Sequence, residues 1–178
     1  VNRNKVMKLY GGNDILGQTI GAAVNDNVNI LREGYPLGSF YGYVEKGYDE
    51  KGFIAYEDFN GNGSRDAGDK RIIGNPNPKF TYGFNSTMSF KNFELTFFVQ
   101  GSQGNDIFNL SAQGQGYDYG QALNMPREVY LDHWTPQNTN AKYPIIRTSS
   151  QAQMSNRFVE DGSYLRFKNI QLSYNLPV

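Results

Sequence analysis

The sequence has no cysteine, one histidine, one tryptophan and no charge excess of either sign. Without cysteine there is no disulfide framework and no thiolate metal centre, and the compartment stays open on that count. His133 is the only histidine, so a zinc site has no ligand set to draw on. Lys+Arg and Asp+Glu stand at 17 each, and no broad basic field exists to attract nucleic acid or an anionic lipid surface. No apolar run approaches the roughly 20 residues of a transmembrane helix. Strands remain possible as spans, because a membrane strand needs only about 10 residues with apolar side chains at alternate positions. No signal peptide is visible, and the opening residues Val1 to Val6 are expected to lie in the middle of a strand or hairpin.

What is present is aromatic and turn-rich. There are 13 Tyr, 12 Phe and 20 Gly in 178 residues, at a mean hydropathy of −0.61. Aromatics on a polar, glycine-rich background suit β-strands joined by turns and loops. The length is enough for one ordinary core, and no repeat or linker marks a domain boundary.

The clearest periodicity runs from Phe80 to Phe90. Phe80, Tyr82, Phe84, Met88 and Phe90 alternate with Thr81, Gly83, Asn85, Thr87 and Ser89, a period-2 strand with one aromatic and one small polar face. Lys91-Asn92 forms a short turn, and a second strand carries Phe93, Leu95, Phe97 and Val99 on one face. A third strand spans Tyr164 to Leu176. Its apolar residues are odd-numbered at Leu165 and Phe167 but even-numbered at Ile170, Leu172, Tyr174 and Leu176. That phase change predicts a bulge or a change of environment near Lys168-Asn169. Asp161-Gly162 before it is a turn signal. Weaker strands are expected at Val28 to Arg32 and Ser39 to Val44, split by Gly34-Tyr35-Pro36. A short helix is expected from Asn124, as its cap, to about His133, with Pro126 in the first turn. Residues 45–79 and 101–160 are too long for ordinary connections. Alternation alone does not decide between a soluble sandwich, with the aromatic face packed inward, and a membrane barrel, with that face in lipid. Short turns at one end and long loops at the other match the asymmetry of outer-membrane barrels.

The sharpest chemical motif is the loop from Asp58 to Asp69. Oxygen-bearing side chains stand at Asp58, Asn60, Asn62, Ser64, Asp66 and Asp69, with Gly63 at the sixth position. This is close to an EF-hand-type calcium loop, in which alternate residues turn inward and glycine permits the sharp bend. Asp58, Asn60 and Asn62 would be the first ligands, Ser64 would offer its carbonyl, and Asp66 and Asp69 would close the site. The fifth position is Asn and the twelfth is Asp, shorter than the usual Glu. The alternative is a solvated Asn-Gly turn without metal.

Other groups have simple structural readings. His133 beside Trp134 lacks a nucleophile-elbow motif. Glu160 and Asp161 would be the carboxylates of a glycoside hydrolase, but Asp161-Gly162 already reads as a turn. Gly101, Gly104, Gly114 and Gly116 form no phosphate loop, because no Lys-Ser/Thr follows. Tyr117, Tyr119, Tyr130 and Trp134 are candidates for stacking on sugars.

Five stretches, in order, resemble SusC/RagA-type TonB-dependent transporters. They are Glu33 to Tyr43, Asp58 through Ile72-Ile73-Gly74-Asn75-Pro76-Asn77-Pro78 to Gly83, Phe97-Phe98-Val99-Gln100-Gly101 with Gly104 to Asn109, Trp134-Thr135-Pro136-Gln137-Asn138, and Arg157 to Arg166 with Lys168-Asn169-Ile170. The resemblance implies an all-β fold: antiparallel strands from a transmembrane barrel of about 22 strands with a plugged lumen. This chain would be a partial, open piece of the C-terminal barrel domain, with long extracellular loops that include the Asp58–Asp69 loop. The plug, the TonB-contacting segment and the final strands would be absent from it. The implied setting is the outer membrane of Bacteroidetes-type bacteria. The implied partners are TonB, a SusD-like surface lipoprotein, the lipid bilayer and a glycan or peptide substrate, with no nucleic acid. No cofactor is required, calcium in the Asp58–Asp69 loop is the one candidate ion, and no enzymatic step is implied.

Two other functions fit the same residues. A soluble glycan-binding β-domain predicts sugar-dependent quenching of Trp134, and a hydrolase predicts sugar release lost in Asp161→Asn. If the transporter reading holds, these 178 residues alone neither transport nor fold stably in water, because their edge strands lack neighbours. A cooperative thermal unfolding transition from an isolated monomer would refute that expectation.

Overall fold

The computed structural model describes residues 1, 3–20, 26–112, 124–147 and 152–177. Its regular structure is almost entirely antiparallel strand. Eight strands come first: β1 (Ile15–Leu16), β2 (Thr19–Ile20), β3 (Asp26–Asn27), β4 (Asn29–Leu31), β5 (Ser39–Gly42), β6 (Glu45–Tyr48), β7 (Ile54–Tyr56) and β8 (Arg71–Gly74). The long pair β9 (Phe80–Phe90) and β10 (Phe93–Gln103) follows, then β11 (Asp106–Phe108), the short helix α1 (Arg127–Leu131), β12 (Val159–Asp161) and β13 (Tyr164–Tyr174). No helix among the described residues is long and apolar enough to cross a membrane, which says nothing about strands.

The three longest strands form one sheet in the order β13-β10-β9. The turn between β9 and β10 is only two residues, with Lys91 in the left-handed region at φ 53°, which lets the chain reverse tightly. The register places Phe93 opposite Phe90, Leu95 opposite Met88 and Val99 opposite Phe84. On the other side Phe93 faces Tyr174, Leu95 faces Leu172 and Phe97 faces Ile170. The register then shifts, so that Phe98 pairs with Asn169 but Val99 pairs with Phe167, leaving Lys168 without a partner on β10. This bulge accounts for the phase change in the sequence. One extra residue returns Leu165 and Phe167 to the face that carries Ile170, Leu172 and Tyr174.

All the large apolar residues of the sheet except Phe98 and Tyr164 therefore share one face, and that face is uncovered. Phe90 keeps 72% of its surface exposed and Leu172 68%. The opposite face carries Thr87 and Thr96, whose hydroxyls lie 3.1 Å apart, together with Asn85, Glu94, Gln100, Asn169 and Gln171.

The remaining strands build a head beyond the open ends of this sheet. A four-stranded sheet runs β1-β4-β5-β8, and β6-β7, β11-β12 and β2-β3 form small pairs. The weaker strands expected around Val28 and Ser39 are β4 and β5, and Gly34 between them turns at φ 89°. Apolar side chains hold the head together. One cluster joins Ile54, Val129, Tyr143, Ala152 and Phe158, and another joins Val28, Phe40 and Met154. Phe108 links them, with its ring 6.3 Å from Phe40 and 6.1 Å from Phe158. The stretches 45–79 and 101–160 thus pack against each other through Ile54, Val129, Tyr143 and Phe158.

A shielded ion pair also joins these stretches. Arg157 Nε donates to both carboxylate oxygens of Glu45 at 2.7 Å. Ser155 Oγ donates to Glu45 Oε1 at 3.1 Å, and Arg157 Nη1 donates to Lys142 O at 2.8 Å. Removing one partner of such a pair strands the other charge, at a cost of about 3–5 kcal/mol.

Two local expectations need correction. Residues 3–9 form no strand or hairpin, although Val6 exchanges backbone hydrogen bonds with Gly34 and Tyr35 at 2.9 Å. Asn124 does not cap the helix. The cap position is Pro126, extended at ψ 140° with no side-chain hydrogen bond, and the helix runs only to Leu131. Pro126 fixes its own φ and disfavours helical backbone in the residue before it, so the helix starts after it.

Two glycines in the long sheet differ in how much room they have. A Cβ on Gly101 would run into the Tyr82 ring and lie 2.6 Å from Tyr164 O, whereas one on Gly83 would meet Phe98 at 3.4 Å. In the full-length protein, Gly101→Ala should cost about 1–3 kcal/mol from overpacking, while Gly83→Ala stays within about 0.5 kcal/mol. Urea-unfolding midpoints compare them, and equal midpoints would contradict the Tyr82 packing.

Candidate functional site

The Asp58–Asp69 loop closes on itself through its own oxygens. Asp58 Oδ1 accepts the Gly61 N–H at 2.7 Å and the Asn62 N–H at 3.3 Å, and Asp58 Oδ2 accepts the Gly63 N–H at 2.8 Å. Asn60 Oδ1 accepts the Asn62 N–H at 3.0 Å, and Asn62 Oδ1 accepts the Ser64 N–H at 2.7 Å. Both asparagine amides donate to Asp66, Asn60 to Oδ1 at 3.0 Å and Asn62 to Oδ2 at 2.6 Å. Gly61 and Gly63 take φ of 71° and 75°, the left-handed backbone that only glycine adopts without strain.

Asp69 plays a different part from the other five. It is 1% exposed. Its Oδ1 accepts the Phe59 N–H at 3.0 Å and the Asn60 N–H at 3.4 Å, and its Oδ2 accepts the Asp66 N–H at 3.0 Å. It thereby pins the start of the loop to its end and completes the capping box of the short 3₁₀ turn at Ala67–Asp69, whose N-cap is Asp66. Asp58, Asn60, Asn62 and Asp66 converge at the exposed side, and Ser64 lies between them with its N–H already engaged. No group of three or more carboxylates or imidazoles stands ready for a metal among the described residues. An ion here would rely on the amide oxygens of Asn60 and Asn62 beside two carboxylates. The Asn62 side-chain amide, then the Gly68 N–H, hold the Asp66 carboxyl below its usual range, so it is charged at neutral pH.

The loop is tied to the head by cations over aromatic rings. Arg65 lies 5.8 Å from the Tyr43 ring centre and 5.6 Å from that of Tyr56, and Arg71 lies 4.3 Å from Phe59. Such contacts contribute about 0.5–1 kcal/mol each at exposed sites. Lys70 reaches Asp26 at 2.6 Å. Tyr56 accepts the Gln153 N–H at 3.1 Å, and burial pushes its phenol well above the ordinary value.

The uncovered face of the long sheet is banded along its height. Phe80 and Tyr82 pack at 5.8 Å at the end near the head, and Phe93 and Tyr174 pack at 4.7 Å at the turn end. Between them lie aliphatic residues, the Phe84–Phe97 pair at 5.7 Å and Phe167. From Phe80 to Phe90 the strand covers about 33 Å, or about 25 Å of height at a tilt of about 40°. Outer-membrane barrels carry an apolar band of that height between aromatic girdles.

The other nominated residues do not come together as a catalytic site. Glu160 accepts from Asn109 Nδ2 at 2.8 Å. Asp161 Oδ1 accepts the Ser163 N–H at 2.8 Å, closing the turn expected there, and the Ser163 contacts lower its pKa. As successive residues of β12, the two carboxylates leave opposite faces of the strand. His133 Nδ1 sits 2.8 Å from Tyr130 O. Trp134 is 6% exposed and its ring fills the space above Gly52, so it is a core residue. Tyr130 is exposed. Gly104 makes a turn at φ 77°. Gly114, Gly116, Tyr117 and Tyr119 lie outside the described residues.

One cavity of about 500 Å³ opens beside the head core, lined among others by Glu128, Lys142, Arg157 and Glu160. Sequence reasoning did not find it. The Glu45–Arg157 pair at its edge joins residues 112 positions apart, with no local spacing to give it away.

The comparisons with known proteins agree with the banded sheet. No protein-family model matches the chain. It is 35% identical over 193 residues to TonB-dependent receptor P3 of Formosa agariphila, covering 99% of this chain and 19% of that protein. It is 32% identical over 184 residues to TonB-dependent receptor SusC of Bacteroides thetaiotaomicron, covering 98% of this chain and 17% of that one. Among solved structures, that of the RagAB peptide transporter superposes with a TM-score of 0.76 at 24% identity, over 97% of this chain and 19% of the other. The RagAB peptide importer in its closed-closed state gives 0.72 at 25%, over the same shares. The chain thus spans about a fifth of the length of the relatives it matches.

Proposed function

We propose a role that proceeds from what the chain is: it belongs with the TonB-dependent receptors of the SusC/RagA type, proteins of the bacterial outer membrane. Its long strands β9, β10 and β13 are wall staves of the barrel, with the banded apolar face in lipid and the polar face toward the lumen. The head is the extracellular end of these staves. The observation that carries this reading is the exposed apolar face, about 25 Å tall, bounded by aromatic pairs at both ends. In water such a face would drive aggregation.

The whole receptor, in this proposal, imports an oligosaccharide or a peptide with energy delivered through TonB, and a SusD-like surface lipoprotein covers its extracellular mouth. The segment contributes wall and loops without a catalytic step, since Glu160 and Asp161 both serve structural hydrogen bonds. The glycan-binding alternative loses its reporter, because Trp134 is buried. Replacing Phe84 or Phe97 with Arg in the full-length receptor should cost about 2–4 kcal/mol of membrane folding, as charges do at the bilayer midplane. Thr87→Arg, on the lumen face, should leave folding nearly unchanged. Equal losses from both faces, measured as folded receptor recovered in outer-membrane fractions, would overturn the orientation.

Calcium in the Asp58–Asp69 loop is part of the same proposal, as a structural ion held by Asp58, Asn60, Asn62 and Asp66, with the Ser64 carbonyl completing the set and Asp69 anchoring the loop. Its affinity is expected near the 10⁻⁴–10⁻³ M order of extracellular calcium modules. Calorimetric titration of the full-length receptor should show a site that Asp66→Ala abolishes. Identical calcium heats from parent and variant would remove the ion from this loop.

A further inference from the structure

The same loop contains two Asn-Gly pairs, Asn60-Gly61 and Asn62-Gly63. Asn-Gly is the sequence most prone to deamidation, because glycine offers no side chain to hinder attack by its own nitrogen. In that reaction the glycine amide gives up its proton and its nitrogen bonds to the asparagine Cγ. Ammonia leaves and a five-membered succinimide forms. Water then opens the ring to aspartate or isoaspartate, with no oxidation or reduction.

Both reacting partners are restrained here. The nucleophiles are the Gly61 and Gly63 nitrogens, and their N–H groups point at the two oxygens of a single carboxylate, Asp58, at 2.7 and 2.8 Å. A charged acceptor on an N–H opposes loss of its proton and fixes where the nitrogen points. The electrophiles are the two asparagine amides. Each is held at both ends, through its oxygen by a backbone N–H two residues on and through its nitrogen by Asp66. Attack would require the amide to swing out of those bonds.

From this we infer that Asp58 is a positioning residue that protects two exposed Asn-Gly bonds from succinimide formation, making Asn60 and Asn62 guarded modification sites. The inference rests on the loop's own hydrogen bonds and stands whether or not the chain transports anything. Conversion at either site would place a new carboxylate beside Asp66, and an isoaspartate would also lengthen the backbone inside the turn. Both changes work against the closed loop.

The test is peptide mapping by mass spectrometry of full-length receptor aged at mildly alkaline pH with chelator present, so that calcium is not the guard. A free peptide of residues 56–70 supplies the unprotected rate. The parent protein should deamidate at Asn60 and Asn62 more slowly than the peptide. Asp58→Ala should accelerate both sites by about tenfold or more, the worth of a hydrogen bond to a charged group. Asp58→Asn keeps one acceptor oxygen in place of two, so it should release one site and leave the other slow, a split that general loosening of the loop does not produce. Equal rates in parent, variants and peptide would overturn the inference, as would an Asp58→Asn protein that accelerates neither site.

Discussion

A strand in hydrocarbon must bond every backbone N–H and C=O to a neighbouring strand, because no water is there to do so. The long sheet meets that requirement through an unbroken ladder between β9 and β10 and a ladder between β10 and β13 that shifts once. With the backbone committed, side chains have only two directions, and the alternation of Phe80 to Phe90 gives one to aromatic and apolar groups and the other to small polar ones, the faces that the proposed barrel turns to lipid and to the lumen. The tight Lys91-Asn92 turn and the large head follow from the same constraint: reversal at one end can be minimal, while irregular chain must lie outside the hydrocarbon.

The head obeys the rules of a soluble domain. Its two apolar clusters are buried, and Glu45 and Arg157 satisfy each other out of bulk water. Two solvents thus act on one polypeptide. Phe158 is hidden and Phe167 is uncovered, although only nine positions separate them. The turn at Asp161-Gly162 falls between the two regimes.

The long strands were legible because period-2 alternation is local and strong. Phe80–Phe90 is found with the bounds the pattern suggests, and the Leu165-to-Ile170 phase change correctly marks the bulge. The Asp161 turn and the Gly34 break were legible for the same reason, since glycine and Asp declare turns locally. The head was mostly illegible. Strands of two to four residues carry too few positions to show a period, and the packing of Ile54 against Val129 and Phe158 joins segments far apart in sequence. Asp69 looked like one more oxygen in a series, and only the fold reveals that it ties the loop ends together. Trp134 looked like a surface platform, and only the fold puts Gly52 beneath it. The opening residues and the Asn124 cap were misread because isolated local signals lost to the tertiary context and to Pro126.

The unpaired Lys168 shows how such a wall stores its orientation. Hydropathy along β13 is written in two reading frames, and the bulge is the point where one passes into the other. A search that assumes a single frame sees two half-strands, each too short to span a bilayer. A search that permits one slip sees a full stave. Parity in a barrel wall is therefore a property of each strand relative to its neighbour, conserved across the ladder even where it breaks along the chain.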